Sequence, residues 1–281
     1  MNNDNLVIMV GGASSRMKKS LETVNLDDAT KNAALQLHKS LIPLGESRKP
    51  LLYYLIKNAA KAGYTKVYLI TSKENKGFKN VIGNKDSNNK YQGVFVHFAI
   101  QHIPVGLEKP LGTADALEQC LDQYPELKNT YFTVCNGDNL YSSGALMDLR
   151  KERDEPNALI SYASSGLQFS EGRLAKFALM DIASEGYLKG IVEKPEMSKM
   201  DEYRDTLGEL RVSMNIFSFS GKDIYPYLKN CPIHPVRNEK ELPEAVRNMV
   251  TDNPKSMLCY PRSERIPDLT NAEDIRRFKV E

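Results

Sequence analysis

Five apolar residues near the start, Leu6-Val7-Ile8-Met9-Val10, run straight into Gly11-Gly12-Ala13-Ser14-Ser15-Arg16. A short β-branched apolar run is the pattern of a strand buried on both faces. Two glycines directly behind it let the backbone turn sharply and bring N–H groups close to an anion. Arg16 adds a planar guanidinium suited to phosphate oxygens. Strand, glycine turn and arginine together point to a nucleoside triphosphate site at the edge of a parallel sheet. Up to Gly12 the same residues also read as a plain turn.

The chain of 281 residues is long enough for one large α/β domain with ample core. A formal net charge of +2 argues against a broad nucleic-acid footprint, so anion affinity has to come from a few placed cations. Cys120, Cys135, Cys231 and Cys259 are widely spaced and form no C-x-x-C pair, which favours buried free thiols in a reducing compartment. The first apolar run is too short for a signal-peptide core, and no stretch approaches the roughly 20 apolar residues of a membrane helix. The expectation is a cytoplasmic enzyme or binding protein, with no nucleic acid or membrane partner. Assembly into a homo-oligomer is left open.

Strand patterns recur at Lys66–Thr71, Gly93–Ile100 and Tyr131–Cys135, with helical patterns at Thr23–Leu37, Leu51–Ala62, Thr113–Leu121 and Ser142–Arg153. Strands alternating with helices predict a three-layer α/β/α, Rossmann-like fold with a mixed, mostly parallel central sheet. The second half reads differently: strands at Ala158–Ala163, Leu174–Met180, Tyr187–Glu193 and Arg211–Ser220, helices at Lys222–Leu228 and Glu239–Met249, and a last strand near Met257–Tyr260. That pattern adds antiparallel strands, with the substrate where the halves meet. The polar segment Gly83–Tyr91 reads as a mobile surface loop. No linker divides the chain, so residues 1–281 are expected to form one domain, with a nucleotide-binding half to about 140 and a second half from about 141.

Lys39 precedes the run Ser40-Leu41-Ile42-Pro43-Leu44, and Lys49-Pro50 opens an apolar helix. Gln101 stands ahead of Leu111-Gly112-Thr113-Ala114-Asp115-Ala116. Asn136-Gly137-Asp138-Asn139 follows an apolar strand, Val192-Glu193-Lys194-Pro195 comes later, and Ser213-Met214-Asn215-Ile216-Phe217 and Pro267-Asp268-Leu269 complete the series. In this order the chain resembles the sugar-1-phosphate nucleotidyltransferases (nucleotide-sugar pyrophosphorylases), in particular the glucose-1-phosphate thymidylyl-, uridylyl- and adenylyltransferases. The resemblance implies Mg²⁺-dependent transfer of a nucleoside monophosphate from an NTP to a sugar-1-phosphate. It implies Arg16, Lys39, Asp138 and Lys194 as catalytic residues and Asp138 with Asp268 as metal ligands. Gly11, Gly12, Ser14, Ser15, Gln101, Gly112, Thr113, Glu193, Ser213 and Asn215 would bind substrate, Gln101 and Gly112 at the base edge and Glu193 at sugar hydroxyls.

The physical reading runs alongside. Joining two polyanions is opposed chiefly by charge repulsion, so catalysis is mostly neutralisation and alignment. A phosphate oxygen is already a competent nucleophile and needs no general base. Asp138 at a strand end can face an ion at the sheet's carboxyl edge, or be an Asp-Asn turn. Asp268 after Pro267 reads equally as a helix-start aspartate. His97 and His102 read as structural or exposed, for want of partners at ligand spacing.

Three departures from the resembled pattern stand out. Ser14 replaces a third glycine, the segment between Arg16 and Lys39 is long, and Lys176 stands where a glycine often lies near the sugar, unless Gly172 serves. Little chain follows Asp268, so no regulatory C-terminal domain is expected. The rival readings are a catalytically silent nucleotide-sugar binder and a nucleotidyltransferase for a non-sugar phosphate. A nicotinamide-dependent oxidoreductase is disfavoured, because G-G-A-S-S-R stands where G-x-G-x-x-G would be required.

Overall fold

A computed structural model describes residues 3–278. Eleven strands form one sheet: β1 (Asn5–Met9), β2 (Lys66–Thr71), β3 (Asn89–Tyr91), β4 (Val94–Ile100), β5 (Tyr131–Asn136), β6 (Asn157–Ala163), β7 (Ala178–Ile182), β8 (Leu188–Glu193), β9 (Arg211–Ser213), β10 (Ile216–Ser220) and β11 (Met257–Arg262). Their order is β8-β7-β9-β6-β10-β5-β1-β2-β4-β3, and β11 pairs with the other edge of β6. Strands β1, β2, β4, β5, β6, β7 and β11 run one way and the remaining four the other, so the sheet is mixed and mostly parallel.

The central strands are buried on both sides, which is why they read as continuous apolar runs. In β1, Leu6 and Ile8 point into one core and Val7 into the other. The first core is roofed by helices Leu51–Lys61, Ser143–Asp148 and Ala272–Arg277, the second by Thr113–Gln123, Gly221–Lys229 and Leu242–Asp252. Helix Leu51–Lys61 shows the logic. Leu51, Leu52, Leu55, Ile56 and Ala59 fall on one face and are fully buried. Each of those leucines contributes about 2 kcal/mol of burial. Gly63, at φ 92°, ends the helix in a conformation glycine adopts freely.

Five sequence expectations need correction. The helix expected over Thr23–Leu37 is confined to Asp28–Gln36, because the Asp27 carboxylate accepts the Thr30 N–H at 2.9 Å and caps it there, and a separate short helix, Ser15–Ser20, follows the glycine loop. The helix expected over Ser142–Arg153 closes at Asp148. Residues 174–177 are not strand: Glu171–Leu174 forms one helical turn, residues 175–177 turn and bend, and β7 begins at Ala178. The end of the polar segment before Tyr91 is β3, an edge strand whose buried Asn89 holds the Lys85 backbone through both its carbonyl and its amide (3.2 and 2.7 Å).

The run Arg211–Ser220 is divided at Met214-Asn215. Its first part pairs with β7 and β6, its second with β6 and β5. Asn215 makes the step with φ 53°, a conformation asparagine tolerates better than most residues.

Candidate active site

Strands β1 and β5 are parallel neighbours with Met9 opposite Asn136, so the glycine loop and the Asn136–Asn139 turn leave the sheet side by side. The Gly137 N–H donates to the Met9 carbonyl at 3.0 Å. A Cβ at Gly137 would lie 2.2 Å from Val10 Cγ1, so only glycine lets the two loops close together.

Lys39 arrives from the turn Lys39–Leu41. Its N–H donates to Ser14 Oγ at 3.1 Å, and Ser14 itself sits at φ 57°. The glycine-to-serine departure therefore keeps the left-handed turn and adds a hydroxyl that anchors Lys39. Beside it, His38 Nδ1 and Ser40 Oγ are 2.7 Å apart. Burial first, and then the Lys39 charge, push the His38 imidazole down to about 4, so it is neutral near pH 7. The Lys39 ammonium pairs with the Asp138 carboxylate.

A first cleft of about 490 Å³ runs from this pair, lined by Gly11, Gly12, Arg16, Lys39, Gln101, Lys109, Gly112, Thr113 and Asp138 among others. Gln101 is buried, and its Nε2 donates to Gly112 O at 3.0 Å and Asp115 Oδ2 at 2.9 Å. Two acceptors fix the amide's orientation and leave Oε1, close to Gly11, without a partner among the described residues. Gly112 has φ 111°, and a Cβ there would meet Lys240 O at 2.5 Å. The Thr113 hydroxyl accepts the Leu242 N–H at 2.9 Å, which leaves its O–H to donate.

A second cleft, about 540 Å³, shares Arg16, Thr113, Asn136 and Asp138 with the first and continues to Glu193, Lys194, Asn215, Asp268 and Lys176. Asp268 reaches it through the backbone: the Leu140 N–H donates to Pro267 O (2.9 Å) and the Leu269 N–H to Asp138 O (2.8 Å). The Asp268 side chain is 3% exposed and accepts from Arg173 (2.7 Å), Thr270 (2.8 Å) and Asn139 (3.2 Å). Burial, and then the nearby Asp138 charge, raise its carboxyl above the ordinary aspartate range, with Arg173 opposing.

Asp138 and Asp268, 130 positions apart in the chain, therefore lie close enough for their charges to interact. Among the described residues no group of three or more His, Cys, Asp or Glu side chains is placed to hold a metal. One or two carboxylates beside a phosphate pocket suit Mg²⁺, which keeps waters and phosphate oxygens as its other ligands.

On the far wall, Lys194 has φ 50° and its ammonium lies 3.2 Å from Glu193 and 3.8 Å from Glu241. Burial raises the Glu193 carboxyl despite Lys194. Glu193 Oε2 and Asn215 Oδ1 are buried without a hydrogen-bond partner. Such atoms are costly unless a ligand supplies donors.

Of the residues singled out in the sequence, Ser14, Ser15 and Ser213 line neither cleft. Ser14 holds Lys39, and Ser213 Oγ accepts the Asn215 N–H at 3.2 Å beneath the wall. His97 is buried and stacked 4.9 Å from Tyr68, and His102 is exposed. All four cysteines are buried free thiols.

Arg173 was not legible as a site residue. It bridges Asp268 and Asp274 (2.9 Å) and lies 4.5 Å over Phe169, yet no motif surrounds it. Lys109 was likewise missed, in an irregular segment joined to Glu239 at 3.4 Å.

Residues 31–264 match the nucleotidyl transferase family. The chain belongs to it.

Within this family, the chain is 23% identical over 181 residues to the glucose-1-phosphate adenylyltransferase of Koribacter versatilis (strain Ellin345), covering 62% of this chain and 41% of that protein. It is 28% identical over 194 residues to the small subunit of the chloroplastic/amyloplastic glucose-1-phosphate adenylyltransferase of Triticum aestivum, covering 68% and 37%. The matched segments thus span about two fifths of the relatives' length. The fold is that of a UDP-glucose pyrophosphorylase crystallised with UDP-glucose, at TM-score 0.70 and 16% identity, over 99% of this chain and 97% of that one. No helix among the described residues is long and apolar enough to cross a membrane.

Proposed function

We propose that this nucleotidyl transferase family member moves a nucleoside monophosphate from an NTP to a sugar-1-phosphate, releasing pyrophosphate, with Mg²⁺ bound at Asp138 and Asp268. The observation that carries the reading is the shared wall. Two clefts of substrate size meet at Asp138 and Arg16, so two phosphate-bearing ligands can be brought to one point. The two halves of the chain, divided near residue 140, would act together as one catalytic domain, each supplying most of one cleft.

In the first cleft the triphosphate lies against the glycine loop. Arg16, which makes no ion pair or side-chain hydrogen bond among the described residues, holds the leaving β- and γ-phosphates bidentately. Lys39 neutralises charge at the α- and β-phosphates, its backbone anchored by Ser14. Gln101 Oε1, the amide atom with no partner among the described residues, accepts a hydrogen bond from the base. In the second cleft Lys194 holds the acceptor's phosphate, while Glu193 Oε2 and Asn215 Oδ1 accept from sugar hydroxyls.

The acceptor's phosphate oxygen forms the new bond to the α-phosphorus. The bond to the bridging oxygen breaks on the opposite side, and pyrophosphate leaves with the electron pair. When bound, Mg²⁺ supplies charge neutralisation at the reacting phosphates. The Asp138 and Asp268 carboxylates would hold it, with Arg173 keeping Asp268 in place.

Pyrophosphate release measured with Mg²⁺ over a grid of NTPs and sugar-1-phosphates tests this reading. Release that requires both substrates is expected, and Asp138→Ala should lower it by about 10³-fold with the fold intact by circular dichroism. Full activity in Asp138→Ala would remove the metal assignment. No release from folded protein with any pair would favour a silent nucleotide-sugar binder.

A further inference from the structure

We infer that the acceptor carries a second anionic group besides its 1-phosphate, and that Lys176 recognises it. This rests on the nucleotidyl-transfer reading above. The cations around the second cleft are mostly answered within the protein. Lys39 pairs with Asp138, Arg173 with Asp268 and Asp274, and Lys194 with Glu193. Arg16 reaches both clefts and is taken by the triphosphate. Lys176 lines only the second cleft, and among the described residues it makes no ion pair and no side-chain hydrogen bond.

Its backbone is held in place. The Lys176 N–H donates to Arg173 O at 3.0 Å, and the Lys194 N–H donates to Phe177 O at 3.2 Å. The second bond continues the β7–β8 ladder beyond Ala178 and Glu193, so residues 176 and 194 flank one end of it. Two lysines therefore border the same wall, one paired and one unpaired.

Opposite demands follow from the wall's other groups. Glu193 Oε2 and Asn215 Oδ1 are buried acceptors that lack donors, which ring hydroxyls can supply. Lys176 offers three donors and a positive charge that a hydroxyl answers poorly and a carboxylate or phosphate answers well. A neutral hexose phosphate would satisfy the acceptors and leave Lys176 to water. A hexose phosphate bearing a carboxylate or second phosphate would satisfy all three.

The test compares three acceptors that share one ring: α-D-glucose 1-phosphate, α-D-glucuronic acid 1-phosphate and α-D-glucose 1,6-bisphosphate. Pyrophosphate release gives kcat/KM for each with the best NTP. One of the two doubly anionic acceptors should exceed glucose 1-phosphate by about tenfold or more, the scale of a charge-assisted hydrogen bond. That ratio should fall toward unity in Lys176→Gln and return in Lys176→Arg. Which acid is preferred separates a carboxylate from a second phosphate. Equal or better use of glucose 1-phosphate, or a preference unmoved in Lys176→Gln, overturns the inference and leaves nucleotidyl transfer standing. No turnover of any acceptor with any NTP overturns both.

Discussion

His38 and Arg173 show how single residues tie stability to the candidate site. The His38 imidazole titrates at about 4 when folded and near 6.5 when unfolded, so the unfolded chain binds the proton more readily between those values. Its contribution is complete above pH 6.5 and is lost as pH falls toward 4. The shift corresponds to roughly 3 kcal/mol. Urea unfolding between pH 7 and 4 should show that loss, and His38→Gln should flatten that part of the slope. Arg173 answers two buried carboxylates at once. Its replacement in Arg173→Met leaves both with less countercharge, Asp268 beside the Asp138 charge as well, and should cost about 3 kcal/mol or more in the same measurement at pH 7. Neither role was readable beforehand. Histidine and arginine were visible as letters, but their partners lie elsewhere in the chain.

At the level of elements, the site depends on how closely strand ends can approach. The loops after β1 and β5 touch because residue 137 has no side chain. Gly137→Ala forces a Cβ into Val10 and Ile8. An overpacking cost of about 1–3 kcal/mol is expected, read as a lowered urea midpoint. Pyrophosphate release should fall as well, since Asp138 follows directly. The helix Ala272–Arg277 works at longer range. Asn271 and Asp274 form its capping box, and the same Asp274 carboxylate binds Arg173, which binds Asp268. A local capping pattern thus orients a residue of the second cleft. The step at Met214-Asn215 does the same for Asn215, by moving one strand from β7 to β5 as it passes β6.

For the molecule as a whole, the two halves share one sheet, and β5 pairs with β10 from the second half over Tyr131–Cys135. A fragment of residues 1–140 would open that edge and bare Phe132 and Val134, which pack in the second core. It should bind a hydrophobic dye and unfold without cooperativity; a cooperative melt from this fragment would argue for separable domains.

What the sequence determined by itself was local: the apolar runs of β1, β2, β4 and β5, the amphipathic helix Leu51–Lys61, and ordered motifs naming Arg16, Lys39, Asp138, Glu193 and Lys194. Strands buried on both faces and helices buried on one write their periods into neighbouring residues. Tertiary structure alone decided that Arg173 answers Asp268 and, among the described residues, that Gln101 keeps only its carbonyl free and Lys176 stays unpaired. Those outcomes depend on strand order and on hydrogen bonds between distant segments, and no local periodicity records either.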